Sequence, residues 1–358
     1  MPVGARLAHG EGMNAPTTLE PGPIFQMLQG AHVAGVLRAG IEHRVFDAIA
    51  VGPEQGATVD AVAEARGIDR RGAGILLDAL AALGLLDRRG GGRDDVEHRY
   101  AVTPLSATFL RSDAPTYVGG VAKIFASPHL APQTLHAAVA QGGTTLGAHA
   151  ETPEHPFWTD FADGSAAMAG PASGALVAAL GPWLAGLERA RVLDLACGSR
   201  LYGLALARAH AHVALSCQDW APVLERTRPQ AEPLGERVRE LPGDLFEIDL
   251  AGPYELLVAS HVFHHFDAPT NARLMARLAE VVAPGGKIAV HDYIPEEAPP
   301  SADPAPYLFS AMMLAWTRKG QAYPRSAYAA WLTEAGFGPV ELLPAIGGGK
   351  WLIASRLG

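Results

Sequence analysis

Val192–Gly203 reads VLDLACGSRLYG. Val192 to Leu195 are apolar apart from Asp194, a run suited to a buried strand, and a turn of small residues follows at once. Beyond it LYGLALARAH, residues 201–210, reads as a helix. Strand, small-residue turn and helix in that order open a nucleotide-binding parallel sheet, where the turn lets the backbone approach a ligand. Arg200, however, stands where such a turn normally has its third glycine. The stretch describes either a working cofactor site or one altered for another use.

The alternation continues toward the C-terminus. HVALSCQDW (212–220), VRELPGD (238–244), YELLVASHVF (254–263) and GKIAVHDYI (286–294) read as strands. APVLERTRPQAEPLG (221–235) reads as a broken helix and PTNARLMARLAEVVA (269–283) as a continuous one. Repeated strand–helix units with apolar strands predict a mostly parallel sheet covered by helices on both faces, with ligands at the carboxyl ends of the strands. Asp194, Asp219 and Asp244 fall at three successive strand ends, 25 residues apart each time. A carboxylate at the second strand end suits a ribose, because it accepts two hydroxyl hydrogen bonds at once. GDLF, residues 243–246, supplies an acceptor for an exocyclic amine and a ring to cover an adenine face.

Toward the N-terminus, residues 1–21 carry no periodicity and read as a poorly ordered tail. The stretch 24–50 is helical, with Ile24, Met27, Leu28, Val33, Val36 and Leu37 forming an apolar stripe that requires a partner surface. TVDAVAEARGI (58–68) begins at a Thr cap, and DRRGAGILLDALAALGLLDRR (69–89) reads as a helix capped by Asp69. A turn-rich segment then enters a strand at Tyr100–Val102, and three helices before a hairpin outline a winged helix. The helix that would enter a DNA groove is lined with leucines, and its arginines (Arg70, Arg71, Arg88, Arg89) lie only at its ends, so dimerisation or pocket closure is the better reading. The domain expectation is therefore a tail (1–21), a winged-helix module (22–110), a helical connector and pocket roof (111–185) and the sheet domain (186–358).

A net charge of −9 with four lysines argues against a nucleic-acid partner and for a small-molecule one. No apolar run has the length of a membrane span and the first residues lack a secretory h-region, so the expected location is cytoplasmic. Cys197 and Cys217 fall in or beside strands and lack the paired spacing of a metal site.

Together these elements resemble the class I S-adenosylmethionine (SAM) dependent methyltransferases, and more closely the two-domain small-molecule O-methyltransferases, over nearly the whole chain. VLDLACGS, Asp219 with GDLF, HVFHHFD (261–267), APGGKIAVHDYIP (283–295) and YPRSAYAAWLTEAGF (323–337) carry the resemblance, with PVELLPA and KWLIASR as a closing antiparallel pair. It implies a Rossmann-like domain with a seven-stranded sheet behind an N-terminal winged-helix dimerisation domain, and a homodimer that makes S-adenosylhomocysteine (SAH). Carried onto this chain, Asp194, Ala196 and Gly198 hold the methionine part, with Arg200 close by. Asp219, with Trp220 next to it, holds the ribose, and Asp244, Leu245 and Phe246 hold the adenine; Ser260 stands near the cofactor. His264 falls on the family's general base, with His265 next to it in the catalytic stretch. An imidazole suits that task because its ordinary pKa lies near neutrality. Trp158, Met168, His261, Met312 and Trp316 line the expected acceptor pocket. The activity implied is methyl transfer to a hydroxyl of a small aromatic specialised metabolite.

The pattern departs from the family at several points. Ala196 and Arg200 replace glycines, and a guanidinium in the loop would either repel a sulfonium, turn outward, or clamp the methionine carboxylate. His265 replaces the aspartate after the base, and Ala322 stands where an orienting glutamate is expected, so the usual orienting carboxylates are missing. No metal is assigned, although His261, His264, His265, His291 and Asp292 form an alternative divalent-metal set. Arg200 motivates a second reading, a SAM-binding fold used for cyclisation, elimination or hydroxylation; a metal-assisted C-methyltransferase and a non-enzymatic dimer are the remaining alternatives.

Overall fold

The chain divides once, between Ala122 and Lys123. A computed structural model describes residues 20–90, 98–125, 130, 132–296, 298–346 and 348–358, with the side chains of Lys123, Phe125, Pro132, Ala167 and Met168 outside the description. The expected tail thus lies outside the described residues up to position 19, as does Met168 as a pocket residue.

In the first unit, α1 (Gly22–Leu28), α2 (Gly30–Glu42) and α3 (Val45–Ala50) occupy the long helical stretch, with Arg44 at φ 52 breaking it before α3. β1 (Ala57–Thr58) leads into α4 (Val59–Arg66), whose first turn is capped by Thr58 accepting from Ala61 N. Asp69 caps α5 (Arg70–Ala82) in the same way, accepting from Gly72 N. Both caps fall where the sequence places them. The helix expected to reach Arg89 instead stops at Ala82. Gly84 takes φ 72, and Leu86–Arg89 forms β2, paired antiparallel with β3 (Arg99–Val102). Four residues that look like another helical turn therefore supply one side of the wing, in a sheet ordered β1-β3-β2. Phe46, Leu77, Leu80 and Tyr100 fill the core beneath it. Arg70 pairs with Asp60 and Arg88 with Asp78, so two of the four arginines beside α5 are committed to carboxylates. The short α6 (Pro104–Phe109) closes the unit, and α7 (Gly120–Phe125) runs across the division.

The second unit opens with α8 (Leu135–Gln141) and the long α9 (Phe157–Ala185). There follow β4 (Ala190–Leu195), α10 (Leu201–Ala209), β5 (Val213–Asp219), α11 (Ala221–Ala231), β6 (Val238–Pro242) and β7 (Tyr254–Ser260). α12 (Ala268–Val281), β8 (Val282–Asp292), α13 (Ala305–Trp316), α14 (Arg325–Glu334), β9 (Glu341–Leu342) and β10 (Lys350–Ser355) complete it. The seven strands lie in the order β6-β5-β4-β7-β8-β10-β9, all running the same way except β10, which is antiparallel to both β8 and β9. From β4 the chain steps to β5 on one side and later to β7 on the other. This reversal opens a crevice above the carboxyl end of β4.

Each face of the sheet has its own core. Leu176, Leu180 and Leu184 of α9 pack with Leu204 and Leu206 of α10 on one face. Leu274, Met275 and Leu278 of α12 pack with Tyr328 and Leu332 of α14 on the other. Each such fully buried side chain contributes roughly 1.5–3 kcal/mol over leaving it in water. β8 begins at Val282, ahead of the strand read at 286–294, and so takes in Pro284, Gly285 and Gly286 as an irregularity in the pairing with β7. Gly286 fits there because an added Cβ would sit 2.8 Å from Ala283 O and 2.9 Å from Glu255 O. Among the described residues no single helix is long and apolar enough to cross a membrane.

Candidate cofactor and acceptor site

The turn after β4 is held by unusual backbone and by side chains beneath it. Ala196, Gly198 and Arg200 take φ 47, 49 and 60, the left-handed region. A glycine is comfortable there, while the two side-chain-bearing residues add of order 1–3 kcal/mol of strain each that neighbouring contacts must offset. Asp219 Oδ2 accepts from Gly198 N at 2.7 Å, and its Oδ1 accepts from Trp220 N. Gln218 Oε1 accepts from Ala196 N while its Nε2 donates to Gly243 O, tying this turn to the one after β6. Burial pushes the Asp219 carboxyl up to about 6, even though two backbone donors act against it. A buried carboxylate so short of compensation favours a ligand that brings further donors.

Two cofactor residues expected in the cavity do not line it. Asp194 is fully buried under the turn, accepting from Gly203 N with Oδ2 while Oδ1 has no partner, and burial pushes it up to about 7. Gly203 allows the contact, since an added Cβ would meet Asp194 Oδ2 at 2.8 Å. Arg200 is the larger correction. Its guanidinium neither faces a sulfonium nor lies in solvent. It is fully buried behind the turn, donating from Nε to Thr227 Oγ1 at 2.8 Å and from Nη2 to Glu240 Oε1 at 2.7 Å and to Leu224 O. The carboxylate of Glu240 and the helix α11 draw the side chain away from the crevice.

The turn after β7 carries the histidines. His261, at φ 55, directs its ring toward β8, where its Nε2 lies 3.1 Å from His291 Nδ1. His264 Nδ1 lies 2.6 Å from Asp292 Oδ1, and Tyr328 donates to Asp292 Oδ2 at 2.8 Å. Burial acts to raise Asp292, but the adjoining His264 and the hydroxyl of Tyr328 outweigh it and hold the group down to about 2. An ionised carboxylate only accepts, so His264 Nδ1 carries a proton and Nε2 is the nitrogen left to act as a base. The two orienting carboxylates usual in the family remain missing at His265 and Ala322, but another carboxylate, from the end of the neighbouring strand, takes the Nδ1 of His264. Burial holds His261 down to about 3 and His291 to about 4, and it lowers His265 as well. Of the five residues of the metal alternative, His261, His264 and Asp292 bring ligand atoms within 4.8 Å of one another. The two closest of these atoms are already engaged with each other.

These turns border one cavity of about 620 Å³. Ala196, Gly198, Asp219, Trp220, Asp244, Leu245, Phe246 and Ser260 line one part, and His261, His264, His265, Trp158, Met312 and Trp316 line another. Phe157, Phe161, Phe309 and Tyr293 also line it and were not singled out in the sequence; the first two stand one turn apart around Trp158 at the start of α9. Phe157 meets Trp316 edge-on at 4.4 Å and Trp158 meets His265 edge-on at 5.3 Å. The wall is broad, aromatic and sulfur-bearing, suited to a flat apolar ligand.

A Rossmann-like sheet with a ribose-type carboxylate, an adenine-type turn and a neighbouring acceptor pocket defines a SAM-binding methyltransferase. The residues fit that cofactor: the positive-φ turn exposes its backbone, Asp219 is a buried acceptor that lines the cavity and could take hydroxyl donors, and Phe246 stands beside Asp244. Comparisons with known proteins agree. Residues 25–112 match the O-methyltransferase dimerisation domain and residues 168–342 a methyltransferase domain. The chain belongs to the two-domain SAM-dependent O-methyltransferases. It is 29% identical to the tetracenomycin polyketide synthesis 8-O-methyltransferase of Streptomyces glaucescens, over 90% of this chain and 92% of that one. It is 26% identical to the 3-hydroxy-5-methyl-1-naphthoate 3-O-methyltransferase of Streptomyces sahachiroi, over 94% and 95%. Among solved structures, a candidate O-methyltransferase of Nostoc punctiforme superposes with a TM-score of 0.82 at 29% identity, covering 95% of this chain and all of that one. Human N-acetylserotonin methyltransferase in complex with SAM shares the fold, with a TM-score of 0.75 at 22% identity over 96% and 100% of the two chains.

Proposed function

We propose that the protein, acting as a homodimer, methylates a hydroxyl of a small aromatic natural product, with His264 as general base. The observation that carries this reading is the Tyr328–Asp292–His264 chain, which ends at a cavity with a cofactor part and an aromatic part. Bound SAM supplies an electrophilic methyl on a sulfonium, so the leaving group comes with the cofactor. The chain's own residues have three tasks. The aromatic wall excludes water and holds the acceptor ring flat. His264 Nε2 takes the hydroxyl proton as the oxygen becomes nucleophilic, and Asp292 stabilises the resulting imidazolium. His265 and His261, kept neutral, add donors and acceptors without adding a cation beside the sulfonium. The names of the Streptomyces relatives support an aromatic polyketide or naphthoate acceptor. The reading as non-methylating chemistry rested on Arg200 in the cofactor pocket, and Arg200 lies elsewhere.

The test uses His264→Ala with a hydroxynaphthoate panel, following SAH release. Turnover is expected to fall by about 10²–10⁴-fold with SAH affinity unchanged. Unaltered turnover removes His264 as the base, and turnover on no aromatic hydroxyl removes the acceptor class.

A further inference from the structure

Arg200 occupies a backbone position that disfavours it, and its side chain reaches the reverse side of the cofactor site. We propose that Arg200 is a positioning residue for SAM, a buried strut that fixes three walls of the cofactor cradle in their ligand-ready arrangement before the ligand arrives.

The three walls are separate in sequence. The turn Ala196–Ser199 precedes Arg200 directly. Asp219 and Trp220 introduce α11, whose first turn adds Val223 to the cavity, and β6 runs from Glu240 into Gly243 and Asp244. From one guanidinium, Arg200 donates to Thr227 and to Leu224 O in α11 and to Glu240 in β6. Thr227 Oγ1 in turn donates to Val223 O at 2.8 Å, so the contact ends at a residue that lines the cavity. Arg228 binds the other oxygen of Glu240 at 2.8 Å from the outside. Burial acts to raise Glu240, but the hydrogen bonds from Arg228 and Arg200 hold it below the usual carboxylate range. The Arg200 side chain is fully buried and that of Glu240 three-quarters buried, so solvent screening of the pair is weak. A glycine at this position would satisfy the turn but could link nothing.

The strut and the backbone strain predict opposite signs for one substitution. If φ 60 were all that mattered, Arg200→Gly would relieve the turn and leave ligand affinity unchanged or improved. If the strut acts, the same change frees the three walls, and affinity falls in proportion to the fraction of free protein still arranged to bind.

The experiment is calorimetric titration of the full-length, ligand-free chain with SAH, alongside melting curves and Michaelis constants for SAM and for an acceptor. Arg200→Gly is expected to weaken SAH binding about tenfold or more, the size of one lost charge-assisted hydrogen bond, and to raise KM for SAM while the acceptor KM stays put. Arg200→Lys, which keeps the charge but not the fork, is expected to fall between the two. Adding Glu240→Gln to Arg200→Gly should weaken SAH binding no further, because both remove the same link. SAH affinity within about twofold of wild type in Arg200→Gly overturns the proposal whatever the melting temperature does, since a merely structural role moves only the latter. If Arg200→Gly does not fold, Thr227→Val removes one bond at nearly constant volume; weaker SAH binding supports the strut, and unchanged binding overturns it.

Discussion

His264 keeps Nε2 free for the cavity because Asp292 occupies Nδ1, and Asp292 itself serves three donors: His264 Nδ1 and Tyr293 N at Oδ1 and Tyr328 at Oδ2. Asp292→Asn preserves the shape but removes the charge that stabilises an imidazolium. Turnover is expected to fall on the order of 10²-fold with little change in SAH affinity. Steady-state kinetics at several SAM concentrations check this; an unchanged rate would mean His264 needs no carboxylate. Asp194 provides a pH test. Its folded pKa, about 7, lies above the ordinary carboxylate value, so its contribution is fully present below about 4 and is lost as pH rises through about 7. Asp194→Asn has no such titration and retains an oxygen for Gly203 N. The ligand-free variant should therefore gain on wild type in melting temperature between pH 4 and 7, with the difference levelling off above that. A difference constant with pH would mean that Asp194 is ionised throughout.

Elements whose local chemistry is complete were legible in the sequence. Thr58 and Asp69 cap helices with their own oxygens, and β4, β5 and β7 announce themselves as mainly apolar, buried runs. What escaped is set by pairing between distant segments. Leu86–Arg89 continues a helical pattern and becomes a strand only because β3 lies alongside. Asp292 orients His264 only because β7 and β8 are parallel in a register that sets Ser260 against His291. Arg200 could not be placed without knowing that α11 and β6 pass behind the turn. Trp351 shows the same dependence at the scale of an element. It is fully buried on β10, donates to Ala172 O in α9 at 2.9 Å and meets Tyr202 of α10 edge-on. One side chain thus fastens the antiparallel end of the sheet to two helices. Trp351→Phe leaves a void and an unpaired carbonyl, and is expected to reduce stability by about 2–3 kcal/mol. Urea unfolding checks it: a midpoint equal to that of wild type would mean the packing closes over the gap.

For the whole molecule, the apolar stripe of the first helices is the feature one chain leaves unresolved. Ile24, Phe25, Met27 and Leu28 are 57–74% exposed, and α1 has no buried residue. α1 runs into α2 through the helical Gln29, and α2 buries only Gly40, so this stretch lacks the packing that gives most protein helices their stability. A partner surface must supply the burial. The match to a dimerisation domain begins at Phe25, inside this stripe, which favours a second copy of the same chain. In a two-fold dimer each copy buries the same residues, so every substitution acts twice. Phe25→Asp with Met27→Asp puts two carboxylates per chain into that surface, and each uncompensated buried charge costs several kcal/mol. Sedimentation equilibrium should give wild type twice the chain mass of 37.5 kDa and the double variant a single chain mass. A wild-type monomer would rule out the homodimer. A double variant that stays dimeric would place the interface elsewhere on the molecule and leave the stripe for another partner.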